Sequence, residues 1–254
     1  MFRYSWGWGQ FGQLGHGREA DEVAPVAIEY LQGNDLKALI SHGTATSSAA
    51  VDSAGKVYPF GCGKDSRLGH GYNVDAPNQA IPRVVEGIEG EVVQIAVGEY
   101  HMAALTSDGR VWTWGEWQSK ARAGQLGHDD SERGYLNLVA ALAGKEVKSV
   151  SCGRQHTVAL TADGEVYTWG QGYDGALGHG EKNNEKTPRL VKALNGKNVV
   201  SVAAGRGAHG LLLPSFFSLF RSLTVSAALR ADHTLFVTAE GEIYTCGSDD
   251  SGQQ

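Results

Sequence analysis

The chain has 254 residues, 41% hydrophobic and 20% charged, with a formal net charge of −6. That is enough apolar chain for a packed core, and its scattered Lys and Arg leave no basic patch, which argues against direct nucleic-acid binding. Glycine is in excess at 35 residues, about twice the usual share, and without a collagen period this points to many tight turns between short strands. Three widely spaced cysteines, Cys62, Cys152 and Cys246, form neither a disulfide frame nor a C-x-x-C zinc pair. The opening residues lack the apolar run of a secretory signal, so a cytoplasmic, possibly nuclear, location is expected.

The first element, "WGWGQFGQLGHG" (6–17), places Gly7, Gly9 and Gly12 at the G-x-G-x-x-G spacing of a dinucleotide loop. The string returns as "FGCGKDSRLGHG" (60–71), "WGEWQSKARAGQLGHD" (114–129) and "WGQGYDGALGHG" (169–180), and begins again as "CGSDDSGQQ" (246–254). A nucleotide fingerprint occurs once per binding unit and opens a helix. Here it recurs, loses glycines to Ser66 and Trp117, and no helical period follows it. The glycines are turn residues, and no cofactor is expected. Aromatic residues Trp6, Phe60, Trp114 and Trp169 precede each copy and are expected to pack in one layer, with Cys246 in that slot last. The slots Leu14, Leu68, Leu126 and Leu177 are 54, 58 and 51 residues apart, and each is expected to fill the space between neighbouring units.

Between these strings, "VVQIAVGEYHMAALTSDGRVWTWG" (92–115) matches "VKSVSCGRQHTVALTADGEVYTWG" (147–170), and "ATSSAAVDSAGKVYPFG" (45–61) is a weaker copy with Ser47 in the histidine slot. Apolar and polar residues alternate at period two around Ala54-Gly55, Asp108-Gly109, Asp163-Gly164 and Glu240-Gly241, which predicts hairpins. "APVAIEYL" (24–31), "IPRVVEGI" (81–88) and "TPRLVKAL" (187–194) predict outer strands, where proline is tolerated. Four short strands per unit of about 50 residues is the arithmetic of a β-propeller blade. The units fall near 1–17, 18–71, 72–129, 130–180 and 181–254 of a single all-β domain.

With G-x-G-x-x-G-x-L-G-H-G, V-x-x-V-x-x-G-x-x-H-x-x-A-L and D-G-x-V-Y-x-W-G recurring in fixed order over almost the whole chain, the sequence resembles the regulator-of-chromosome-condensation repeat family. The resemblance implies a seven-bladed propeller of four-stranded antiparallel blades, of which this chain supplies about four. An incomplete product is therefore expected, in preference to an arc closed by dimerisation. It also implies binding to another protein, either as a scaffold or as a guanine-nucleotide exchange factor for a small GTPase. The family's ultraviolet-B branch carries tryptophan in the slot that here reads Gly98-Glu99-Tyr100-His101 and Gly153-Arg154-Gln155-His156, so light sensing is not expected. Residues 207–231 interrupt the fifth unit: removing them joins Gly205-Arg206 to Asp232-His233. This Leu-, Ser- and Phe-rich insert reads as translated intron or, alternatively, as an apolar partner-binding loop; it is too short in apolar run for a membrane span.

His16, His70, His128 and His179 occupy one repeated slot, following Gly15, Gly69, Gly127 and Gly178; His101, His156 and His233 occupy another. Recurring once per blade, they are expected to bond backbone at strand ends and not to gather round a metal. His42 and His209 fall outside the pattern. No nucleophile has a base in register with it, so no catalytic residue is assigned. The turn from Gly115 to Leu126 is eleven residues against seven in the other copies, and its Trp117, Lys120 and Arg122 are candidate partner-binding residues.

Overall fold

The computed structural model describes residues 3–41, 46–71, 73, 75–115, 123–128, 135–206, 209–211, 225–227 and 232–247. They form a procession of antiparallel sheets, each built from consecutive strands in up-and-down order. Blade 1 is the pair β1 (Tyr4–Gly7) and β2 (Glu22–Ala27). Blade 2 holds β3 (Leu36–Ser41), β4 (Ser47–Asp52) and β5 (Val57–Gly61). Blade 3 runs through β6 (Val92–Val97), β7 (His101–Thr106), β8 (Val111–Gly115) and β9 (Asn137–Leu138). Blade 4 runs through β10 (Val147–Cys152), β11 (His156–Thr161), β12 (Val166–Gly170) and β13 (Glu185–Leu190). In blade 5, β14 (Val199–Arg206) pairs with β17 (Asp232–Thr238) and that with β18 (Ile243–Gly247). A two-stranded ribbon, β15 (His209–Leu211) with β16 (Val225–Ala227), leaves the connection between β14 and β17, inside the insert.

The second and third strands of each blade meet at the predicted hairpins. Thr106 N–H bonds Arg110 O at 3.0 Å and Gly109 N–H bonds Thr106 O at 2.9 Å. Only the glycine takes positive φ, +82°, the three-residue loop that ends on a left-handed residue. The other hairpins repeat this at Gly55, Gly164 and Gly241. The outer strands depart from expectation in blade 2. Residues 81–88 form no strand, and the fourth strand shrinks to a bridge between Gly61 and Gln79 with a bond from Val85 N–H to Val57 O. Pro59 in β5 and Pro82, next to the Arg83 whose N–H reaches Pro59 O at 3.4 Å, both lack an N–H, so the ladder is not continuous there.

Period-two alternation sends neighbouring residues of one strand into different seams between blades. Met102 and Ala104 face blade 2, packing with Ala49, Val51 and Val57, whereas Ala103 and Leu105 pack with Val147, Val150 and Trp169 of blade 4. Each blade thus has no core of its own and buries its two faces against its neighbours. The first strands run side by side across these seams. The Gln94 amide in β6 donates to Val150 O and accepts from Val150 N–H in β10, both at 3.1 Å, and Ser151 Oγ accepts from Ala204 N–H in β14 at 2.9 Å. Trp6 departs from the expected buried layer: it is 60% exposed, beside exposed Tyr4 and Trp8. Phe60, Trp114 and Trp169 are each covered by the loop of the preceding blade, and no earlier blade among the described residues covers Trp6.

Candidate protein-interaction face

The shared motif residues are spent on the seams. Leu14, Leu68, Leu126 and Leu177 are all buried. Immediately after each, a glycine lies against the aromatic or sulfur slot of the next blade. A Cβ built on Gly127 would stand 2.7 Å from the Trp169 indole, closer than any real contact. The carbonyl before the leucine is an acceptor for the next blade. Gln125 O accepts from the Thr157 hydroxyl at 2.8 Å and the Trp169 indole at 2.9 Å; Ala176 O accepts from Thr234 at 2.7 Å and from the Cys246 thiol at 3.3 Å. Ser48 makes the equivalent bond to Gln13 O at 2.9 Å.

The second histidine slot completes this clamp. His101 Nε2 lies 2.7 Å from Thr157 Oγ1, and His156 Nε2 lies 3.1 Å from Thr234 Oγ1. Each threonine has committed its proton to a carbonyl, so the histidine must be the donor and carries its hydrogen on Nε2. Beyond the backbone bonding that was expected, the ring reaches a hydroxyl one blade further on. Burial holds His156 neutral, pushing its pKa down to about 4, assisted by His233 nearby. In the first slot, His16 and His179 donate to Ser5 and Thr168 at 2.9 and 3.0 Å, His16 Nε2 also lies 3.2 Å from the backbone Val26 O, and those hydroxyls donate to Leu14 O and Leu177 O. Thr113 makes the same bond to Leu126 O. Pro59 stands at the equivalent place in blade 2, and His70 Nε2 is buried with no hydrogen-bond partner among the described residues. Burial and nearby Arg83 push its pKa down to about 4.

The seam between blades 2 and 3 lacks the clamp, since Ser47 replaces the histidine and Met102 the threonine. Arg67 spans it instead. Its buried guanidinium donates to Lys64 O, Thr46 Oγ1, Asp65 and, across the seam, Glu99 O at 3.0 Å, while its own carbonyl accepts from the Trp114 indole at 3.2 Å. Nothing in the repeat pattern marked Arg67; the signal available was a charged residue in a slot otherwise filled by Gln13, Gln125 and Ala176.

Antiparallel order puts the tips joining first to second strands, and the loops joining third to fourth, at one end of the arc. There the tip pairs Glu99-Tyr100 and Arg154-Gln155 project between glycine and histidine, held by bonds from Gly98 N–H to His101 O (2.8 Å) and Gly153 N–H to His156 O (2.9 Å). The second residue of each pair turns inward: Tyr100 and Gln155 are buried. Two guanidinium groups lie over the Tyr100 ring, Arg67 at 5.2 Å and Arg154 at 5.9 Å from its centroid. Burial, with Glu99 alongside, raises its pKa. Arg206 and Asp232, which flank residues 207–231, pair at the same end. Trp117, Lys120 and Arg122 lie outside the described residues. Among the described residues no three His, Cys, Asp or Glu gather as metal ligands, and no helix is long and apolar enough to cross a membrane.

The repeat profile described as "Regulator of chromosome condensation (RCC1) repeat" matches residues 4–49, 54–105, 108–160 and 163–211. The chain belongs to the RCC1-repeat family. A second profile of the same repeat matches 147–176 and 231–253, resuming after the insert. Among relatives, this RCC1-repeat chain is 34% identical over 256 residues to the human E3 ubiquitin-protein ligase HERC2, covering 98% of this chain and 5% of that protein. Among solved structures it superposes on human WBSCR16 with a TM-score of 0.69 and 27% identity, covering 80% of this chain and 51% of that one. Prp20p of Saccharomyces cerevisiae shares the fold at a TM-score of 0.55 and 18% identity over 97% of this chain and 66% of its own. The chain therefore spans about a twentieth of HERC2 and about half of WBSCR16.

Proposed function

We propose that this RCC1-repeat chain is a non-catalytic protein-interaction scaffold of the cytoplasm or nucleus, and that it recognises another protein with the loop end of its arc. The observation that carries this is a division of residues. Positions shared by the copies are buried in seams and bonded across them, whereas the first tip residues, Glu99 and Arg154, differ between copies and sit at one end. Repeats specify architecture and loops specify recognition. A second reading, exchange of guanine nucleotide on a small GTPase, is favoured by the likeness in fold to Prp20p, a protein studied for its binding to Gsp1p and histones. It needs no catalytic side chain, only better binding to the nucleotide-free GTPase. Fluorescent-nucleotide release from a panel of purified GTPases separates the two. Binding without release supports the scaffold; release by sub-stoichiometric amounts replaces it with exchange. Binding unaffected by changes at residues 99 and 154 but lost on changing Arg110, at the opposite end, would refute the choice of face.

A further inference from the structure

Resting on that choice of face, we propose that Arg154, held beside the Tyr100 ring, anchors a carboxylate side chain of a protein partner. The geometry is that of a donor fork set in advance. Its backbone is pinned by the Gly153–His156 bond and by Glu99 N–H donating to Gly153 O at 3.3 Å. Its guanidinium carbon lies over the Tyr100 ring, 5.9 Å from the centroid, and the fully engaged Arg67 lies 5.2 Å from the same centroid. Nε is buried and hydrogen-bonds nothing among the described residues; the Glu99 carboxylate is 3.8 Å from it, too far for a hydrogen bond. A third of the Arg154 side chain remains exposed, and because Nε is buried that exposure lies elsewhere on the side chain. A guanidinium held within cation–π reach of an aromatic ring has less freedom to lose when it grips a planar carboxylate through two N–H groups. Glu99 beside it leaves the pair with no net charge. That suits a monoanionic carboxylate and opposes a phosphate dianion or a polyanion, as does the chain's net charge of −6.

The test selects peptides from a random twelve-residue display library on the immobilised full chain, then measures affinities by fluorescence anisotropy for wild type, R154Q, R154K, Y100F and Y100L, with thermal melts checking that each folds. Selected peptides should carry a shared Asp or Glu. Changing that residue to Asn or Gln, or making R154Q, should each weaken binding about tenfold, the size expected of a hot-spot contact, and the two together should cost little more than either. Y100F should retain binding and Y100L should lose severalfold, but only when Arg154 is present. R154K should fall between wild type and R154Q, since a point charge cannot grip two oxygens. A selection without acidic residues, affinities unmoved by R154Q, tighter binding of a phosphoserine version of the peptide, or no selectable peptide overturns the anchor. Acid-free peptides whose binding still responds to Glu99→Ala would overturn the anchor and leave the face standing; peptides that respond only to changes at Arg110 would overturn both.

Discussion

The seam bonds make a prediction in which packing losses cancel. Trp114 and Trp169 are both fully buried and each donates its indole N–H to the carbonyl before a Leu-Gly pair. Gln125 O keeps the Thr157 hydroxyl when Trp169 is changed to Phe. Arg67 O keeps no side-chain donor among the described residues when Trp114 is changed, because Met102 stands where Thr157 would be. Trp169→Phe therefore costs lost ring contacts plus a net hydrogen bond of about 0.5–1.5 kcal/mol, whereas Trp114→Phe also strands a buried carbonyl, worth about 1–3 kcal/mol. The second variant should be less stable by about 1 kcal/mol in equilibrium urea unfolding, with the slope against urea unchanged. Introducing Met102→Thr supplies the missing hydroxyl. On its own it should destabilise by roughly 2 kcal/mol through lost apolar volume, since Met102 is 1% exposed. In its presence Trp114→Phe should cost about 1 kcal/mol less than in wild type, a coupling above the ~0.5 kcal/mol scatter of additive sites. Equal costs for the two tryptophans, together with a coupling inside that scatter, would refute the account of the seams.

Gly172→Ala should destabilise more than Gly175→Ala. A Cβ at Gly172 would meet Asn183 O at 1.7 Å, whereas at Gly175 nothing lies within 4 Å and only its φ of +79° is unfavourable. The left-handed cost is about 1–2 kcal/mol, and thermal melts of the two variants settle the order. Pro59→Thr should stabilise by about 1 kcal/mol by giving Leu68 O a donor and His70 a hydroxyl, and should move the His70 pKa up from about 4, read by NMR titration. His156 titrates near 4 when folded against an ordinary 6.5. Between those values the unfolded chain binds the proton and the native chain does not. Stability is therefore fully present above about pH 6.5, is lost as pH falls to about 4 and levels off below; a shift of this size is worth about 3 kcal/mol. His156→Gln should flatten that part of a stability–pH profile, even though it lowers stability at pH 7.

The repeat was legible because the same physical demands recur in each copy: glycine where chains touch or turn left-handed, leucine in the seam, Asp-Gly in the hairpin. What the sequence concealed was relational. Thr157 and Thr234 follow their histidines directly, yet each is bonded by the histidine of the preceding blade, His101 and His156, 56 and 78 residues away in sequence. Trp6 matches Trp114 in local sequence, but burial belongs to the neighbour that does the covering, and this is why it was misplaced. The missing outer strand of blade 2 was foreseeable in principle, since Pro82 falls next to Arg83, the residue that meets Pro59, but only once register was known. The tip pairs show in sequence only that they lack a tryptophan; that Tyr100 meets two arginines requires loops from three blades in one place.

Arg67 in place of the hydroxyl clamp makes one junction of the arc unlike the rest. Elsewhere a neutral relay, tolerant of ionic strength, holds neighbours together; here a buried guanidinium, paired with Asp65 on its own loop, reaches across to Glu99 O, and such a buried charge is costly to strip of its partners and exacting in geometry. A shift of blade 3 against blade 2 would break the Arg67–Glu99 bond and leave that buried charge short of a partner. The aromatic ring beside the proposed anchor lies directly on this junction, so strain there would be felt where the partner is gripped.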